Sequence, residues 1–137
     1  MGNSPVIWAS KLQTEVALST MEAEYIALST AMRALLPMRR LHSSIAKAFN
    51  LPLDPKSQVS TVWEDNQAAQ TLATIDPPRL TPRSKHIAVK YHWFWSHLEK
   101  GVIEMKYIES KSQKADILTK PLTHDKHQTA RLLTMGW

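Results

Sequence analysis

The sequence predicts an α/β layered fold. Three observations carry that prediction. From Val59 onward, β-branched and aromatic runs alternate with helix-periodic ones. A long amphipathic segment precedes them. The chain has 137 residues, 43% of them hydrophobic, which suits one domain with a real core.

Taken in order, Pro5 to Ala9 reads as a short strand leaving a Gly-Asn-Ser-Pro turn. From Ser19 the period changes. Tyr25, Leu28, Met32, Leu35, Leu41, Ile45 and Phe49 recur at helical spacing, so a long helix is expected. Pro37 should kink or split it, because proline lacks the amide donor and clashes with the preceding turn. The stretch "NLPLDPKS" is a loop. Val59 to Trp63 reads as a strand, and a short helix is expected from about Gln67 to Thr74. "DPPRLTPRSK" is a proline-rich basic loop. Ile87, Tyr91, Phe94 (or Trp95) and Leu98 step as a helix that Gly101 stops. In "VIEMKYIES", Ile103, Met105 and Tyr107 alternate along one face of a third strand. "KADILTK" opens a last helical segment, broken at Pro121 and resumed through Arg131 and Leu133.

Composition narrows the function. Seventeen Lys+Arg against twelve Asp+Glu give a formal charge of +5, which favours an anionic partner, nucleic acid first. Charged residues interrupt every apolar stretch, so no membrane span is expected. Met1 to Pro5 has neither a basic start nor an apolar run, so no signal peptide is visible. The absence of cysteine removes disulfides and thiolate zinc sites. These features fit an intracellular location, cytoplasm or nucleus. Only three glycines occur, none in a phosphate-binding loop, and no Gly-x-Ser-x-Gly elbow is present. The spacings of His86, His92 and His97 do not set two zinc ligands on one helical face.

Three acids stand at element ends. Glu22 lies in the first turn of the long helix, Asp65 at the carboxyl end of the strand before it, and Asp116 in the first turn of the last helical segment. Ligands of α/β sheets collect beyond the carboxyl ends of strands. Widely separated acids could converge there on magnesium, which takes hard oxygen ligands. Each acid also has a simpler reading. Ser19-Thr20-Met21-Glu22 matches a capping box, and Asp65 and Asp116 suit helix amino termini. Spacing leaves both readings open.

Four blocks, "VALSTMEAEYIAL", "VWEDNQAAQTLA", "RSKHIAVKYHWF" and "KADILTKPL", occur in an order and spacing similar to the ribonuclease H domain of copia-type long-terminal-repeat retrotransposons. The resemblance covers almost the whole chain. It implies a ribonuclease H-like mixed sheet flanked by helices, and cleavage of RNA in RNA–DNA hybrids with two Mg2+ ions held by four acids. Carried over by motif, Glu22, Asp65 and Asp116 are the catalytic and metal-binding acids. Glu24 is the alternative to Glu22, about 200° away around the helix by the 3.6-residue period, so both cannot face one site. The family's first acid has no counterpart, since no aspartate precedes Asp54. The first strand and nearly all the second are expected to be missing. That leaves an exposed sheet edge for a partner chain or the rest of a polyprotein, weakened magnesium binding, and little hybrid cleavage by this chain alone. The alternative is an inactive retroelement-derived remnant that binds nucleic acid or protein. Asn66, Gln67, Arg83, Lys85 and His86 are candidate nucleic-acid contacts, with Lys90, Tyr91 and Trp93 nearby; a solvated basic face and ordinary turn chemistry are their simpler readings. Tyr91 and Phe94 read as core. No histidine occurs in "ESKSQKA", so the family's mobile histidine has no counterpart.

Overall fold

A computed structural model describes residues 5–53, 58–75, 85 and 92–136. The chain forms two compact units, one from described residues 5–16 and 108–136, the other from Ala17–Tyr107. The larger unit is α/β. It holds α1 (Thr20–Ala48), β1 (Ser60–Glu64), α2 (Gln67–Thr74), a 3-10 turn at His92–Phe94, α3 (Trp95–Glu99) and β2 (Ile103–Tyr107). The smaller unit holds a 3-10 turn at Ser110–Ser112, α4 (Asp116–Thr119) and α5 (His124–Met135).

Among the described residues the sheet has two strands, β1 and β2, paired in parallel with Ser60 opposite Ile103 and Val62 opposite Met105. One face is covered. Val62, Met105 and Ile103 turn toward α1 and α2, and Tyr25, Leu28, Met32, Leu72, Ala73 and Phe94 complete the core. Trp63, at 50% exposure, and the Glu104–Lys106 ion pair at 3.1 Å mark the other face. Polar bonds fix the surroundings of that core. The Tyr25 hydroxyl and His92 Nδ1 share a hydrogen bond at 2.5 Å, and the Trp93 indole donates to buried Ser29 at 2.9 Å. Burial holds the Tyr25 phenol protonated and the His92 ring neutral, the latter partly offset by the Ile75 backbone. Trp93, 40% exposed, sets its ring edge-on to Phe94, and Phe94 is core as expected. Tyr91 lies outside the described residues.

Helix α2 spans the expected residues, and the strands at Ser60 and Ile103 match their patterns. The helix expected around Ile87 to Leu98 is described only from His92, as a 3-10 turn running into α3. Gly101 then takes a left-handed φ of 66°, which glycine adopts without a Cβ penalty. The last helical segment breaks at Pro121 and resumes as α5.

Two expectations are corrected. Pro5 to Ala9 forms no strand, and Val6, Ile7 and Trp8 are 66%, 56% and 65% exposed. A strand needs a hydrogen-bonded neighbour, and among the described residues none pairs with it. Nor does Pro37 split the long helix: α1 is continuous over 29 residues with Pro37 inside. Both halves are anchored. The first is held by the core, the second by Arg39, which donates to Ser60 Oγ and the Gln58 carbonyl, and by the Leu51 amide on the Ala46 carbonyl at 2.8 Å.

The anchored helix still bears the local cost of proline. Pro37→Ala is expected to stabilise the chain by roughly 2–3 kcal/mol, the usual penalty of an interior proline. Urea unfolding reads this as a higher midpoint; an unchanged or lower midpoint contradicts it.

Candidate functional site

The site builds from the end of β1. Strand alternation turns Ser60, Val62 and Glu64 inward while Thr61 and Trp63 stay exposed. Glu64 is only 6% exposed. The chain then turns. Asn66 donates its backbone amide to Glu64 Oε1 at 3.0 Å, while its own Oδ1 accepts from the amides of Ala68 and Ala69, both at 3.0 Å. Asn66 is thus the cap of α2, and that role does not fall to Asp65.

Burial lifts the Glu64 carboxyl to about 7; the Asn66 amide opposes the rise, and the charges of Glu24 and Asp65 add to it. The smallest influence is the Asp65 amide, which lowers it. Glu24 of α1 and Asp65 therefore lie within electrostatic reach of Glu64 at the carboxyl end of β1. A carboxyl near half-protonation at neutral pH can both give and take a proton, and such perturbed groups concentrate at functional sites. Glu64 is the residue that sequence reasoning passed over. Its signal was present, because Val62 is an inward position and Glu64 is two residues on.

The structure separates the two helix acids. Glu22 turns back along α1: its Oε2 accepts from the Leu18 amide at 2.7 Å, and its own amide donates to Ser19 Oγ at 3.2 Å. This is close to the expected capping box, displaced by one residue from the Ser19 amide. Glu24 is the α1 acid whose charge reaches Glu64. Asp65 is half-buried at the strand end. Asp116 belongs to the smaller unit, where it pairs with Lys120 at 2.8 Å one helical turn on. Among the described residues no group of three or more His, Asp or Glu side chains is placed to hold a metal ion.

Of the candidate nucleic-acid contacts, Asn66 serves the α2 cap. Gln67 is exposed in the first turn, and its carbonyl accepts from Thr71 at 2.8 Å. Lys85 is exposed. Arg83, His86 and Lys90 lie outside the described residues. Among the described residues, no helix is long and apolar enough to cross a membrane.

The raised Glu64 value makes a stability prediction. Below its ordinary value of 4.5 both folded and unfolded chains hold the proton; between 4.5 and about 7 the folded chain holds it more tightly. The favourable contribution is present at the acid end and lost as pH rises through about 7, on the order of 3 kcal/mol in full. His92 acts in the opposite sense: its lowered value costs stability as pH falls through 6.5. The difference between the native chain and Glu64→Gln isolates the carboxyl. Glu64→Gln is expected to gain stability relative to the native chain from pH 5 to 8 in urea titrations; a pH-independent difference contradicts the assignment.

No family model matches the chain, and no solved structure matches it. Curated proteins do. The chain is 32% identical over 128 residues, 93% of its length, to the "Retrovirus-related Pol polyprotein from transposon TNT 1-94" of Nicotiana tabacum. It is 28% identical over 128 residues to the corresponding polyprotein from transposon RE1 of Arabidopsis thaliana, again 93% of its length, and 29% over 123 residues, 90%, to that from RE2. It spans only 9%, 8% and 8% of these relatives' lengths. The homologues of this chain are retrovirus-related Pol polyproteins of copia-type transposons, of which it corresponds to a small part.

Proposed function

We propose that the chain is the ribonuclease H-type portion of a retroelement Pol polyprotein, and that the end of β1 is its acid centre. The observation that carries this reading is the grouping of Glu24, Glu64 and Asp65 beyond the carboxyl end of a parallel strand, where α/β sheets place their ligands. The resemblance of the four sequence blocks supports the substrate class, RNA paired with DNA, and the similarity to retrovirus-related Pol polyproteins supports a retroelement setting. The four sequence blocks support Glu22, Asp65 and Asp116 as the metal-binding acids of the complete domain, with Glu24 the alternative helix acid. Magnesium, when bound, supplies charge neutralisation at the phosphodiester and an activated water. Asn66 and Gln67 beside Asp65, with Arg83, Lys85 and His86, are proposed to hold the hybrid through phosphate and 2′-hydroxyl contacts.

A second reading rests on a different observation. The Glu22 carboxylate is engaged by the Leu18 amide, and among the described residues no metal-holding group forms. On that reading the isolated chain binds hybrid without cutting it.

One assay tests both. The chain alone, and the chain extended by the segment preceding the matching stretch in the tobacco relative, are incubated with labelled RNA–DNA hybrid in magnesium. The extended chain is expected to cleave and the chain alone to cleave weakly or not at all. Asp65→Asn in the extended chain should lower the rate by about a hundredfold or more, the scale for a group acting at the reacting centre. An inert extended chain, or cleavage indifferent to Asp65→Asn, overturns the enzymatic reading. Hybrid binding that persists in those cases supports the second.

A further inference from the structure

A row of positive charge runs along α1. Between Tyr25 and Leu53 the sequence has no aspartate or glutamate. Within that span Arg33, Arg40 and Lys47 follow one another at intervals of seven, and all three are exposed. Helix α1 is continuous through Pro37, so its period fixes how they stand. Each interval of seven turns the helix by only about 20°, which sets the three in one row roughly 21 Å long. Thr30, Pro37 and Ser44 flank that row at the same interval, and all are exposed and short. Thr30 also folds its hydroxyl back onto the Ile26 carbonyl at 3.0 Å. The three cations are therefore what a partner approaching this side meets first.

The row is presented in a fixed direction. Tyr25 and Met32 are sunk in the core, and Arg39, pointing away from the row, donates to Ser60 Oγ and the Gln58 carbonyl. An aromatic ring stands at the amino end of the row. Trp93 donates its indole proton to Ser29, one turn before Arg33, and its side chain remains part-exposed. Cations on a rigid helix with an accessible indole at one end suit a polyanion with flat sugar and base surfaces.

We propose that Arg33, Arg40 and Lys47, with Trp93 at their amino end, bear the phosphate backbone of an RNA–DNA duplex. The proposal rests on the reading of this chain as a hybrid-binding Pol segment, and adds to it a surface other than the α2 turn. The guanidinium forks of Arg33 and Arg40 match phosphate oxygens in pairs, and Lys47 acts as a point charge. Such contacts hold a duplex without reading its bases. The Trp93 ring packs on sugars of a wide, shallow minor groove. An acidic peptide finds no apolar anchor point in the row, whose flanking residues are Thr30, Pro37 and Ser44. A membrane surface needs apolar side chains on the side of the charges, whereas Leu41 and Ile45 diverge from Arg40 by about 100° and about 140° around the helix.

The test measures binding of the full chain to a labelled RNA–DNA hybrid in EDTA over a range of salt concentrations. A row variant carries Arg33→Gln, Arg40→Gln and Lys47→Gln. A control variant carries Lys11→Gln, Lys100→Gln and Lys126→Gln, exposed lysines off α1 that remove the same charge. Glutamine forms helix about as well as arginine and lysine, so circular dichroism should be unchanged. Each lost phosphate contact lowers the slope of log K against log salt by about 0.9. The row variant should lose roughly 2 to 3 from the slope and bind about tenfold or more weakly, the control variant less than about 1 from the slope. Trp93→Leu removes no charge and should weaken binding with the native slope. No hybrid binding by the native chain, a native slope in the row variant, or an equal loss in the control variant overturns the proposal. So does a row variant that loses phosphatidylserine vesicles or polyglutamate while holding the hybrid as before. Cleavage is read separately in the extended chain, where the row variant should raise KM about tenfold and leave kcat unchanged. An inert extended chain overturns the enzymatic reading alone, because the salt slopes still decide the row.

Discussion

Two parallel strands of five residues each cannot hold themselves together in water, so the α/β unit depends on what covers their inner face. That cover is the first half of α1. Tyr25, Leu28 and Met32 recur at helical spacing and close over Leu72, Phe94 and Ile103. Everything distinctive about the unit follows from this contact. It draws Ser60, Val62 and Glu64 inward, and it sets the amino-terminal turns of α1, with Glu24, beside the end of β1.

The same contact creates the electrostatic problem at the strand end. Strand alternation gives Glu64 an inward position whether or not a carboxylate is welcome there. Its desolvation is only partly relieved by the Asn66 amide, and two neighbouring acids raise its proton affinity further. A scaffold optimised for stability alone would place an apolar residue at such a position, since buried unpaired charge is costly. A buried acid with two acidic neighbours at one strand end is the kind of local inconsistency that functional sites carry.

Much of the unit is legible from sequence because local signals agree with the tertiary outcome. Helix α2 is bounded by the Asn66 cap and by the end of its apolar spacing at Thr74. The alternation of Ile103 and Met105 identifies β2. Legibility fails where the outcome depends on distant partners. Val6, Ile7 and Trp8 have strand chemistry, but strand formation is decided by a neighbouring ladder. Pro37 reads as a kink or a break, yet Arg39 and the core keep the helix continuous on both sides of it. The helical period shows that Glu22 and Glu24 face apart, but only the packing of α1 decides which of them affects Glu64.

The most direct measurement of the central claim is the titration of individual carboxyl carbons by NMR in the folded chain. The account predicts that Glu64 titrates near 7 and moves downward in both Glu24→Gln and Asp65→Asn, because each removes a neighbouring negative charge. A Glu64 that titrates with the ordinary carboxylates, or that is indifferent to both substitutions, would contradict the grouping of these three acids at the end of β1.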